Sequence, residues 1–215
     1  MNTLLKTTAY ILIFFSSIFT YAGDSGHGGG GYVCPQKDGT TNVVLVDIWE
    51  ANLRVHLANK SYSKIPLSDA DLYKQVNEAL IRLSTVNKAF AEKVKKELQY
   101  IEQNYTEAPA YALISEPQDV SPDLGPRGCK LKGVATYIDN FWNGEGVLWI
   151  DMKHFNNMHV THQAALFVHE AVYKVLRERS LIEINSVNTR KIVGILFSSK
   201  INFTQDMKYI KELVK

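Results

Sequence analysis

A histidine followed at once by an acid, inside a run with helical periodicity, is the place in this chain where chemistry could sit. The run is His162-Gln-Ala-Ala-Leu-Phe-Val-His169-Glu170-Ala-Val-Tyr173-Lys-Val-Leu-Arg177. On a wheel of about 100° per residue, Ala165, Val168, Val172, Val175 and Leu176 form an apolar arc flanked by Leu166 and Tyr173. His169 falls inside that arc. Glu170 falls on its polar edge, beside Gln163 and Arg177. An imidazole on a buried face needs a hydrogen-bond partner or a ligand to offset its desolvation.

The pattern resembles the start of the zinc-peptidase helix, H-E-x-x-H. There two histidines face inward one turn apart, and the glutamate beside the first acts as base. Here His169 and Glu170 match, and Tyr173 stands at the second histidine position. The resemblance implies a zincin-like hydrolase with His169 as zinc ligand and Glu170 as general base. Tyr173 would then be an oxyanion stabiliser or weak ligand. Zinc is the cofactor of that reading; otherwise none is expected. His162 cannot share an ion with His169, because seven residues span about 10.5 Å of helix. Thr161 reads as a helix cap, which places His159 before the helix. His154 or His159 could complete a site from there.

Simpler roles account for the same residues. Glu170 and Lys174 form an i, i+4 pair worth about 0.3–0.5 kcal/mol. His169 can be a core histidine donating to a backbone carbonyl, with Tyr173 at the core edge.

The rest of the chain says where such a helix would work. Residues 1–22 read as a signal peptide: Lys6, an uncharged and mostly apolar run, then Thr20-Tyr21-Ala22 before a cut at Gly23. The stretch is too short and too polar for the roughly 20 apolar residues of a spanning helix. No later segment is apolar enough to span, so the expected destination is the periplasm or the medium. Export would carry Cys34 and Cys129, the two cysteines among 215 residues, into an oxidising compartment, where such a pair becomes a disulfide. With 24 basic against 22 acidic residues, net charge +2, the chain lacks the concentrated positive field that nucleic-acid binding needs. Lys93, Lys95 and Lys96 read as a solvated face.

Residues 23–33, with the glycine-rich GDSGHGGGG, read as a flexible arm without the Lys-Ser/Thr ending of a phosphate loop. A single globular domain then spans residues 34–215. Val43 to Val46 reads as a buried strand, and residues 47–57 fit a continuing strand or a helix equally. Apolar residues at spacings of three and four predict a helix over residues 68–104, or two helices with a break near Ser84-Thr85. Ser68 and Asp71 make its capping-box-like start. Four of the six prolines punctuate residues 105–128. Residues 131–138 and 146–151 flank an Asn-Gly tip and read as a hairpin. Helices follow from Thr161 to about Arg179, from Asn185 or Ser186 to about Ser199, and from Thr204 onward. The fold class is α+β: a small antiparallel sheet on several helices, one of them long.

These elements also resemble a group of small secreted proteins of Gram-negative bacteria that carry an H-E-A-x-Y helix. In this chain the shared features are Gly28–Gly31, Val33-Cys34, Cys129, the helix from Ala164 to Tyr173, and Ser186 with Arg190. The resemblance implies that His169, Glu170, Tyr173 and Arg190 belong to one unit, a polar clasp in which Glu170 meets Arg190 or Arg177. The expected function is therefore an exported binding or structural module with an envelope or protein partner, and the alternative is the zincin-like hydrolase.

Overall fold

The β-branched run that reads as a strand is one, and it runs without a loop into a helix. The computed structural model describes residues 29–57, 65, 67–110, 112, 114–138, 146–179, 186–198 and 203–214. Strand β1 (Gly30–Pro35) pairs antiparallel with β2 (Thr41–Leu45), and the chain continues directly into α1 (Val46–Leu57). Two helices follow, α2 (Leu72–Val86) and α3 (Lys88–Asn104), then the short strand β3 (Thr106–Glu107). Next come β4 (Lys130–Gly133), β5 (Ala135–Ile138) and β6 (Val147–Ile150). The chain closes with α4 (Met152–Asn156), α5 (Val160–Arg179), α6 (Val187–Phe197) and α7 (Phe203–Leu213). The fold is α+β, as its patterning predicts.

Two three-stranded sheets, ordered β2-β1-β4 and β3-β6-β5, flank the helices. The expected strand over residues 131–138 is two strands in two sheets. The switch lies at Val134, whose N–H donates to the Gly29 carbonyl while its own carbonyl accepts from Asp151. The hairpin survives as β5 with β6, Ala135 opposite Ile150; its tip at residues 139–145 lies outside the described residues.

Helix boundaries follow side-chain capping more than hydrophobic spacing. Asp71, not Ser68, caps α2 by accepting from the Tyr73 and Lys74 amides. The break before α3 falls at Asn87 instead of Ser84-Thr85. Asn87 is extended, and its side chain accepts from the Phe90 amide. An asparagine side chain competes well for backbone groups at such a position, which is why it stops one helix and starts the next. Thr161 lies inside α5 and not at its cap; its hydroxyl accepts from the Ser68 amide.

The principal correction concerns the glycine-rich arm. Residues 23–28 lie outside the described residues, but Gly29 to Val33 are no loose arm: Gly29 to Tyr32 are buried and Gly30 opens β1. A Cβ at Gly29 would stand 2.2 Å from Leu166 Cδ1, and one at Gly30 2.3 Å from the Pro117 ring. Glycine is required there by close approach of the backbone to its neighbours.

Helix α5 runs through the centre, with Ala164, Ala165, Leu166, Val168, Ala171 and Val172 all buried. Being covered on several sides, it is not the one-faced surface helix its wheel describes. A second, smaller apolar cluster of Tyr32, Val46, Val120 and Leu131 surrounds Cys34 and Cys129. These cysteines form a disulfide with an S–S distance of 2.06 Å across 95 residues of sequence. Replacing both with serine should lower stability by up to about 4–5 kcal/mol, the chain-entropy value for a loop of this length. Urea unfolding of the double variant checks this, and an unchanged midpoint would contradict it.

Candidate functional site

The junction from β2 to α1 puts Asp47 in the first turn of α1, where the positive end of the helix dipole favours a carboxylate. Its side chain is fully buried and points to α5. There His169 Nδ1 donates to Asp47 Oδ2 at 2.7 Å. Burial works against the charged ring, but the Asp47 carboxylate, with Glu170 adding to it, more than offsets this and raises the His169 pKa. The expected backbone carbonyl partner is thus an acid instead. Tyr173, one turn on, is buried and stacks on the imidazole with ring centroids 6.2 Å apart.

Glu170 is not on a polar edge. It has 0% exposure, because the N-terminal end of the sheet covers the side of α5 that the wheel leaves to solvent. Its Oε1 accepts from the Gly29 amide at 2.5 Å. Burial raises its pKa, opposed by His169 and the Gly29 N–H and reinforced by Asp47.

Arg190, 4% exposed on α6, commits its fork to Asp119, Ser186 and Glu50. Nη1 donates to Asp119 Oδ2 and to Ser186 Oγ, both at 2.7 Å, and Nη2 donates to the Asp119 carbonyl. Nε donates to Glu50 Oε2 at 3.2 Å. Arg190 lowers the Asp119 pKa against the effect of burial. The expected contact of Glu170 with Arg190 is not the one formed: Arg190 clasps Glu50 and Asp119, and Glu170 meets Gly29. Arg177 lies half-buried toward the end of α5, seven residues beyond Glu170, or about 10 Å along the axis.

Asp47, Glu50, Asp119 and Gly29 are the participants that reading the sequence does not reveal. The available signal is an acid pair three residues apart, Asp47 and Glu50, directly after the apolar run of residues 43–46. His162 also has a defined role: its Nδ1 accepts from the Leu45 amide at 2.9 Å. Burial, with nearby His159, pushes its pKa down to about 4.

The buried polar atoms Asp47 Oδ1, Asp119 Oδ1, His169 Nε2, Glu170 Oε2 and Thr189 Oγ1 have no hydrogen-bond partner among the described residues. Among the described residues no group of three or more His, Cys, Asp or Glu side chains is arranged to hold a metal ion. His154 is committed to Asp151 at 2.6 Å, and His159 lies 3.5 Å from Asp69. Neither forms a group of three or more such side chains with His169 among the described residues. No family model, curated protein or solved structure matches the chain.

Two outcomes follow from this geometry. Arg190→Ala strands two acids at a partly buried site and should cost about 3–5 kcal/mol in chemical denaturation; a loss below 1 kcal/mol would deny the clasp its role. The second outcome concerns His162. Its folded pKa is about 4 against the ordinary histidine value of 6.5, so the unfolded chain binds the extra proton between those values. Stability then falls as pH drops through that window, by about 3 kcal/mol in total. His162→Asn keeps an acceptor for Leu45 and should flatten this part of the urea-midpoint profile relative to the parent protein.

Proposed function

We propose that the protein is an exported module that acts without catalysis, a binding or structural protein of the envelope or medium. In this reading its His169–Glu170–Arg190 cluster holds the fold together. One observation carries it: Asp47, His169, Glu170 and Arg190 are all buried, and each is bonded to a group on a different element. Ionisable groups sealed in this way and bonded across elements serve folding specificity more readily than turnover. The disulfide between Cys34 and Cys129 is compatible with an oxidising compartment and so supports export of the chain after removal of residues 1–22. No helix among the described residues is long and apolar enough to cross a membrane. The partner in this reading is another protein or an envelope component.

The zincin-like hydrolase keeps one specific observation in its favour. His169 is oriented by a carboxylate on Nδ1, as metal-bound histidines commonly are, and its Nε2 has no hydrogen-bond partner among the described residues. The two readings separate on the purified mature protein. Elemental analysis and a peptide-library hydrolysis assay should show no stoichiometric metal and no cleavage, and Glu170→Gln should alter stability alone. Stoichiometric zinc lost in His169→Ala, with cleavage lost in Glu170→Gln, would overturn the proposal in favour of the hydrolase.

A further inference from the structure

The start of α2, the end of α3 and the middle of α5 enclose a shallow hollow of about 320 Å3, its open mouth included. Val76 and Leu98 are buried and make its floor. Tyr73 and Tyr105 stand at its rim, 54% and 39% exposed, and half-buried Phe167 of α5 supplies a third aromatic wall. The lining carries one charged side chain, Glu102, and among the described residues no basic one. We propose that this hollow binds an alkylated ammonium group, such as the trimethylammonium head of a choline-type solute or lipid. The rings of Tyr73, Tyr105 and Phe167 would lie against its methyl groups, and Glu102 would face its charge. The site reaches beyond the role proposed above: Phe167 stands about 200° around α5 from His169, so it holds whether or not the His169 cluster is catalytic.

The walls are already in place. Tyr105 meets Phe167 edge-on with ring centroids 5.5 Å apart, and Phe167 meets Phe155 in the same way at 5.7 Å. Rings braced from behind have little freedom left to lose when a ligand arrives. Of the large apolar and aromatic side chains exposed among the described residues, Leu67, Ile81 and Leu124 are aliphatic, and the two tyrosines are the pair at this rim.

The charge at the hollow selects the ligand. Burial, then Glu102, then Tyr105 and Asp71 raise the Tyr73 pKa, so two carboxylates act on that hydroxyl. An anion would be repelled there. A neutral apolar ligand would strip water from the Glu102 carboxylate and return nothing for it. A small metal ion needs several oxygen ligands, and no group of three or more acids, histidines or cysteines gathers among the described residues. A primary ammonium brings three N–H donors, more than one carboxylate at the rim can meet. An alkylated ammonium has its donors replaced by methyl groups, which suit the floor, while its charge is attracted by aromatic faces and by the acid.

The test uses choline and dimethylbutanol, its neutral analogue with carbon in place of nitrogen, titrated into the full mature chain. Ring signals are followed by NMR on protein labelled at Tyr and Phe. Choline should shift the Tyr73, Tyr105 and Phe167 signals saturably and bind about tenfold more tightly than dimethylbutanol, the value of a cation held by two or three rings. Glu102→Gln should remove most of that advantage, and Tyr105→Leu should weaken choline binding by a similar factor. No saturable shift at these rings, or equal binding of the neutral analogue, would overturn the proposal. Should Tyr105→Leu disturb the packing on Phe167, Glu102→Gln decides alone, because Glu102 is exposed and its replacement leaves the hollow's shape unchanged. With choline binding established, sedimentation with phosphatidylcholine vesicles separates the two sources. Binding to vesicles that free choline competes away supports a lipid head, and choline binding without vesicle binding supports a free solute.

Discussion

A charge removed from water must be met by another charge or by hydrogen bonds, and that constraint organises the centre of this molecule. The bond between His169 Nδ1 and Asp47 Oδ2 is its clearest case: two fully buried ionisable groups, 122 residues apart in sequence, 2.7 Å apart in space. Leaving either alone costs several kcal/mol, whereas the pair together is tolerable. The pair demands that α1 start directly at the end of β2 and that α5 pass beside it. It thereby fixes how the first sheet sits against the central helix. The Leu45 amide, at the same junction, is met from the same helix by His162. Two histidines seven residues apart thus read consecutive features of one strand-to-helix turn.

Around this pair the same logic repeats outward. Arg190 cannot be left charged and alone at the N-terminal half of α6, and Glu50 and Asp119 converge on it from α1 and from the proline-punctuated connection. Asp119 also accepts from the Ser186 amide at the start of α6, where an unsatisfied N–H needs a partner. The long connection, the least regular part of the described chain, is therefore held at its middle by Asp119 on the charge cluster and at its end by Cys129 on β1. Covalent and ionic constraints act on the same segment. A loop that would otherwise carry a large ordering cost becomes part of the folded unit.

Much of this was legible from residue patterns, for identifiable reasons. Alternating and three-four spacings depend only on local geometry, so α2, α3, the β5–β6 hairpin and the α+β class could be read directly, and the cysteine pair followed from redox chemistry. Three features could not be read, because each depends on what lies across the fold. A helical wheel assumes one buried face, so it puts Glu170 on a wet edge that the backbone at Gly29, just before β1, covers. Glycine composition suggests an arm, yet Gly29 to Gly31 are glycine because Leu166, Pro117 and Val43 press against their backbone. The partners of His169 and Arg190 are distant in sequence, and only tertiary structure brings Asp47 and Asp119 to them. The expected pairing of Glu170 with an arginine gives way to Gly29 for the same reason.

The central claim is that His169 is a sealed, charged member of an ion pair and not an exposed imidazole waiting for substrate. Its ring can be followed by nitrogen NMR on labelled protein across neutral pH. The account predicts an imidazolium that persists above pH 6.5, the ordinary histidine value, and that loses this persistence when Asp47 is replaced by asparagine. A ring that titrates at or below 6.5 in the parent protein, indifferent to the residue at position 47, would contradict it.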